Sequence, residues 1–63
     1  MIRFTYEGAV TDQNVDSHPN SIAAAAATLA GWGEGVTIRG EQTSVTTWTF
    51  TAQGETVTAE VLP

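Results

Sequence analysis

From Ile2 to Val10 the chain alternates: Ile2, Phe4, Tyr6 and Val10 point one way, and Arg3, Thr5, Glu7 and Ala9 the other. A period of two with aromatic residues predicts a half-buried strand. Gly8 interrupts the apolar series and marks a bulge or the strand's end. A second reading of the same segment makes Glu7-Gly8 a tight hairpin, with Ala9 to Val15 returning as another strand and Arg3 opposite Asp12.

After a polar stretch from Thr11 to Pro19 the period changes. Ile22, Ala25, Ala26 and Leu29 recur at steps of three and four, which predicts a helix ending near Ala30. Asp16, Ser17 and Asn20 are all competent N-caps, because their side-chain oxygens accept from free amides of the first turn. Pro19 suits that turn, where its missing N–H costs nothing. Gly31 suits the stop, since it takes a left-handed conformation without strain. The opposite side of this helix carries Asn20, Ser21, Ala23, Ala24, Ala27 and Thr28, and no formally charged residue occurs from Ser17 to Gly33. A lone helix on a small domain shows one side to water, and that side normally carries Lys and Glu. The bland outer side is therefore the first sign that another surface covers it.

The period returns to two beyond the Gly31-Trp32-Gly33-Glu34-Gly35 connector. A short strand is expected from Val36 to Arg39, a turn from Gly40 to Thr43, and a long strand from Ser44 to Thr51 with Trp48 and Phe50 inward. Gln53-Gly54 turns the chain again, and Glu55 to Leu62 closes it with Val57, Ala59 and Val61 inward. The apolar sides converge on one α+β domain over residues 1–63. It is a two-layer fold in which one helix packs on a four-stranded, mostly antiparallel sheet in the order β-α-β-β-β.

The outer face of that sheet would show Arg3, Thr5, Glu7, Thr37, Arg39, Val45, Thr47, Thr49, Thr51, Thr56, Thr58 and Glu60. Threonine forms strands well and tolerates water, so one reading is a solvated face. The other is a flat, weakly charged surface shaped for a partner. The edges bear on this choice, because an edge strand without Lys is poorly protected against pairing with other chains.

Composition narrows the function classes. The 63 residues contain no Cys and no Lys, two Arg and seven acids, for a net charge of −5. Disulfides and thiolate metal sites are excluded, and so small a domain is expected to lean on a partner for stability. Two cations cannot neutralise a row of phosphates, so neither direct nucleic-acid binding nor anionic-membrane binding is expected. The acids are spread along the chain rather than clustered, which weakens a DNA-mimic reading. The first residues lack a basic region followed by an apolar run, so no signal peptide is expected. The apolar run Ala23 to Ala27 is far too short to span a bilayer. The absence of Lys beside abundant Ala, Thr, Gly and Val suggests a GC-rich source genome, such as those of actinobacteria and their phages.

Candidate chemistry is thin. Asp12, Asp16 and His18 lie within seven residues and have the donor types of a divalent-cation site, but helix capping explains them more simply. The glycines at 31, 33 and 35 follow the helix, whereas phosphate loops precede one. Glu7 and Glu60 are the carboxylates a glycosidase pair would use, yet they read as solvated strand positions. Ser17, Ser21 and Ser44 have a single His between them and no nucleophile context. No enzyme activity, cofactor or metal is expected. Trp48 belongs to the core, and Trp32 is read either as folded over the core edge or as an exposed anchor.

The expectation is a non-enzymatic structural or assembly protein acting through protein–protein contacts, with a protein partner or further copies of itself. A phage virion accessory or capsid-decorating subunit fits, residing in the virion or in the bacterial host's cytoplasm. The alternative is a small acidic module that inhibits or regulates a host protein. The residues expected to touch a partner are Ala24, Ala27, Thr28, Trp32, Thr47, Thr49, Thr51 and Thr58.

Overall fold

A computed structural model describes all 63 residues as one helix on one face of a five-stranded antiparallel sheet. The elements are β1 (Ile2–Tyr6), β2 (Ala9–Gln13), α1 (Pro19–Ala30), β3 (Arg39–Gln42), β4 (Thr47–Ala52) and β5 (Glu55–Val61). Strand order across the sheet is β2-β1-β5-β4-β3. The helix therefore carries the chain from one edge of the sheet to the other. No helix is long and apolar enough to cross a membrane.

The α+β class holds, but the order is β-β-α-β-β-β with five strands, not β-α-β-β-β with four. The difference is the hairpin at Glu7-Gly8. Both residues have positive φ, 50° and 81°. That pair of angles marks the turn type whose twist matches two antiparallel strands. The chain reverses there, and Arg3 pairs with Asp12 across the hairpin. Reversal also moves Val10, expected with the inward set, to the outer face opposite Thr5, where it is 59% exposed. Gln53-Gly54 repeats the device between β4 and β5, with φ of 52° and 77°.

The third strand lies later than expected. Val36 and Ile38 form no strand but are half-buried against the core. Pairing with β4 begins at Arg39, and the turn spans 43–46 rather than Gly40 to Thr43. Gly40 sits opposite Phe50, and a Cβ there would lie 3.1 Å from the Phe50 ring. The ring occupies the space a side chain would fill, and this seats the edge strand.

The helix begins and ends on local hydrogen bonds. His18, not one of the three expected caps, is the N-cap: its Nδ1 accepts from the Asn20 amide at 3.2 Å. Asp16 acts one step earlier, accepting from the His18 amide at 2.9 Å. At the other end Gly31 has φ 73°, its N–H donates to the Thr28 carbonyl, and the Trp32 N–H donates to that of Ala27. These two bonds satisfy carbonyls that the helix end leaves free.

The core lies between helix and sheet. Ile2, Phe4, Ile22, Ala26, Trp32, Phe50, Ala52, Val57 and Ala59 are buried. The helix packs on β5 and β1. Trp48 and Phe50 stack on β4 with centroids 6.4 Å apart. Nothing packs on the sheet's other face, where Thr51, Thr56 and Glu60 are exposed.

Candidate functional site

Strand register arranges the outer face in rows. Val10, Thr5, Thr58, Thr49 and Glu41 run across all five strands. Asp12, Arg3, Glu60 and Thr47 form the row on one side, and Thr56, Thr51 and Arg39 the row on the other. Threonine thus holds the middle, and charge lies toward the rim. Both arginines of the chain are on this face, with Asp12, Glu41 and Glu60 as its acids. The face is one charge short of neutral. Glu7, Asp16, Glu34 and Glu55 lie off its rows and carry the rest of the net charge of −5.

One ion pair spans the β1–β2 rim. Arg3 Nε donates to Asp12 Oδ1 at 2.8 Å and Nη2 to Oδ2 at 3.1 Å. This fork holds the Asp12 carboxyl below the usual carboxylate range and raises the guanidinium pKa further. No equivalent forms at the β3 rim: Arg39 and Glu41 face Thr51 and Thr49 on β4, and the only salt bridge is Arg3–Asp12.

The other polar cluster sits on the helix side. Glu55 shares the inward parity of Val57 and Ala59. Its Oε1 accepts from Trp32 Nε1 at 3.1 Å and its Oε2 from the Tyr6 hydroxyl at 2.5 Å. Those bonds, Tyr6 first and Trp32 second, hold the Glu55 carboxyl below its ordinary range. The same bond, with desolvation and the nearby Glu55 and Glu7 charges behind it, pushes the Tyr6 phenol up to about 12. The carboxylate ties the connector to β1 and β5, and both of its oxygens are committed.

The residues expected to meet a partner divide between two sides of the molecule. Thr47, Thr49 and Thr58 are half-buried among their sheet neighbours, and Thr51 is exposed. Ala24 and Thr28 lie on the exposed back of the helix, where the Thr28 hydroxyl donates to the Ala24 carbonyl at 3.0 Å. Ala27 is half-buried and packs against the core. Trp32 is only 6% exposed, so it is the core-edge residue of the two readings and has little surface to offer as an anchor.

The other candidates separate as well. Asp12 is held by Arg3, while Asp16 and His18 serve the helix start. No group of His, Asp and Glu is placed to hold a metal ion, and the surface has no pocket. Glu60 pairs with Arg3 at the far end of β1 from Glu7, so these two carboxylates form no pair. Comparison with protein-family models, with curated proteins and with solved structures returns no match.

Sequence reading missed the Glu55 bridge and the unpaired charges of β3. The signal for Glu55 was its parity: counting back by twos from Val61 through Val57 reaches it. The β3 charges were hidden because the strand was expected three residues earlier.

Proposed function

We propose that this chain is a non-enzymatic assembly protein that docks through its threonine face onto a larger, repetitive protein scaffold, as an accessory subunit of a phage virion does. The observation that carries the reading is the open face of the sheet: uncovered, threonine-centred and nearly neutral in a chain that holds most of its net charge elsewhere. Branched methyl and hydroxyl groups give contact and hydrogen bonding together, at little desolvation cost compared with charged groups. The uncharged helix back at Ala24 and Thr28 is a second, smaller contact on the opposite side.

A second reading, a module that regulates a basic host protein, draws on the three exposed acids away from that face, Glu7, Asp16 and Glu34. Salt separates the two. Contacts through neutral threonines persist at about 1 M salt, where charges are screened within roughly 3 Å, whereas acid-led binding collapses. The test introduces Thr49→Arg with Thr58→Arg and follows the tagged full chain in density gradients of particles from its native host. Wild type is expected in the particle band at high salt, and the folded double variant is expected free. A double variant retained in the band, or wild type free at every salt concentration, contradicts the reading.

A further inference from the structure

The hydrogen-bond alternation of the sheet shows which backbone groups β3 leaves free. In an antiparallel ladder, directly opposed residues alternate between bonded and non-bonded pairs. The two-residue turn at Gln53-Gly54 makes Ala52–Glu55 a bonded pair, and with it Phe50–Val57 and Trp48–Ala59. The Val61 N–H donating to the Thr46 carbonyl at 2.8 Å continues that series. Thr49 and Thr51 therefore turn their backbone groups toward β3. There they meet Glu41 and Arg39, as the Thr43 N–H donating to the Thr47 carbonyl at 2.9 Å bears out. Gly40 and Gln42 are left with N–H and C=O pointing away from the sheet. All four residues of β3 are exposed.

We infer that this edge pairs with the β3 edge of a second copy, antiparallel, with the two Gly40 residues opposite each other on a two-fold axis. Charge selects the partner and the register. With Gly40 opposite Gly40, Arg39 of each copy faces Glu41 of the other. These are non-bonded positions, where side chains approach most closely. Moving one copy by two residues either way sets Glu41 against Glu41 or Arg39 against Arg39, and like charges directly opposite are destabilising. Within a single chain neither residue has an ion-pair partner. Gly40 presents no side chain at the axis, and the Phe50 ring beneath it holds the strand in place.

The β2 edge offers no such match. By the same alternation from the Glu7-Gly8 turn, Val10 and Asp12 point outward there. The only charge on β2 is Asp12, already held by Arg3.

Pairing about Gly40 keeps both helices on one side of a ten-stranded sheet and joins the two threonine faces on the other. The inference goes beyond the docking reading and does not depend on it, since edge and face are different surfaces. The edge contact is short, so the dimer is weak and forms as concentration rises from micromolar to millimolar.

Sedimentation equilibrium of the full chain at low salt tests it, with circular dichroism confirming that each variant folds. Wild type is expected to dimerise reversibly. Arg39→Glu and Glu41→Arg are each expected to weaken self-association about tenfold or more, because every cross-strand pair then opposes like charges. An equimolar mixture of these two variants is expected to recover a heterodimer, and the double variant Arg39→Glu/Glu41→Arg a homodimer. Gln42→Pro removes an outward N–H without touching the β4 ladder, and is expected to abolish dimers while the chain stays folded. A wild type that stays monomeric at millimolar concentration overturns the inference, as do single charge variants that dimerise like wild type or a mixture that fails to associate. A monomeric wild type leaves the docking reading intact, because that reading is judged by the particle-band test on Thr49 and Thr58.

Discussion

The two flanks of the sheet treat polar groups differently. On the β2–β1–β5 side they find partners inside the chain: Arg3 grips Asp12 with two bonds, and Glu55 takes one donor from Tyr6 and one from Trp32. On the β3 side the two charged groups do not, although the Gln42 amide donates to the Val45 carbonyl at 3.4 Å. Arg39 and Glu41 face threonines and flank the outward N–H and C=O groups of Gly40 and Gln42. The outward backbone groups of Val10 and Asp12 at the β2 edge have only the Asp12 charge beside them, already held by Arg3. A satisfied flank contributes to folding, and an unsatisfied one is a surface that a neighbour can complete. Substitutions of the paired polar groups on the first flank should therefore change stability, and those of the exposed charges on β3 should change association.

The largest effect is expected where the β3 flank meets the core. Phe50 is buried and its ring fills the space beside Gly40. Phe50→Ala should cost about 3–5 kcal/mol. A domain of this length has roughly 3–9 kcal/mol in total. Thermal denaturation should find the variant largely unfolded near room temperature. A Tm close to wild type would mean that β3 is not seated on that ring.

Next comes the Glu55 cluster. Glu55→Gln should lower Tm by several degrees, because Tyr6 and Trp32 lose a charged acceptor. The pH dependence has two signs. The folded Glu55 carboxyl lies below its ordinary range, so its contribution is present above that range and lost as pH falls through the folded value. The folded Tyr6 phenol lies near 12, so its contribution is full below about 10 and lost as pH rises toward 12. Tyr6 is the only tyrosine, and phenolate absorbance follows it alone. In Glu55→Gln the titration midpoint should move down toward the ordinary value. An unmoved midpoint would detach Tyr6 from this carboxylate.

A smaller effect is expected at the β1–β2 rim. Asp12→Asn should lower Tm slightly, and less at high salt, because this ion pair is exposed. In wild type the contribution is present above the ordinary Asp range and lost on acidification, since the folded carboxyl lies lower. A Tm difference that persists unchanged in high salt would argue that packing, not charge, holds this hairpin together.

Much of the fold was legible because period and punctuation agreed. The helix from Pro19 to Ala30, its Gly31 stop, the Gln53-Gly54 turn and the inward set of β5 follow from spacing and turn chemistry alone. The first strand was harder. Alternation from Ile2 reaches Val10 whether or not the chain reverses, and only the Glu7-Gly8 turn distinguishes the two, with a non-glycine residue at positive φ. The third strand misled for another reason: Val36 and Ile38 have strand-like spacing but are half-buried without pairing. The threonine face was legible as a face. That Ala27 packs against the core rather than facing outward was not, because how far a lone helix rolls on its sheet depends on side chains distant in sequence.

Amide hydrogen exchange at the two edges, followed as protein concentration rises to millimolar, tests the contrast most directly. Protection of the Gly40 and Gln42 amides should increase with concentration, while Val10 and Asp12 on β2 stay fast. Equal, concentration-independent exchange at both edges would contradict the account.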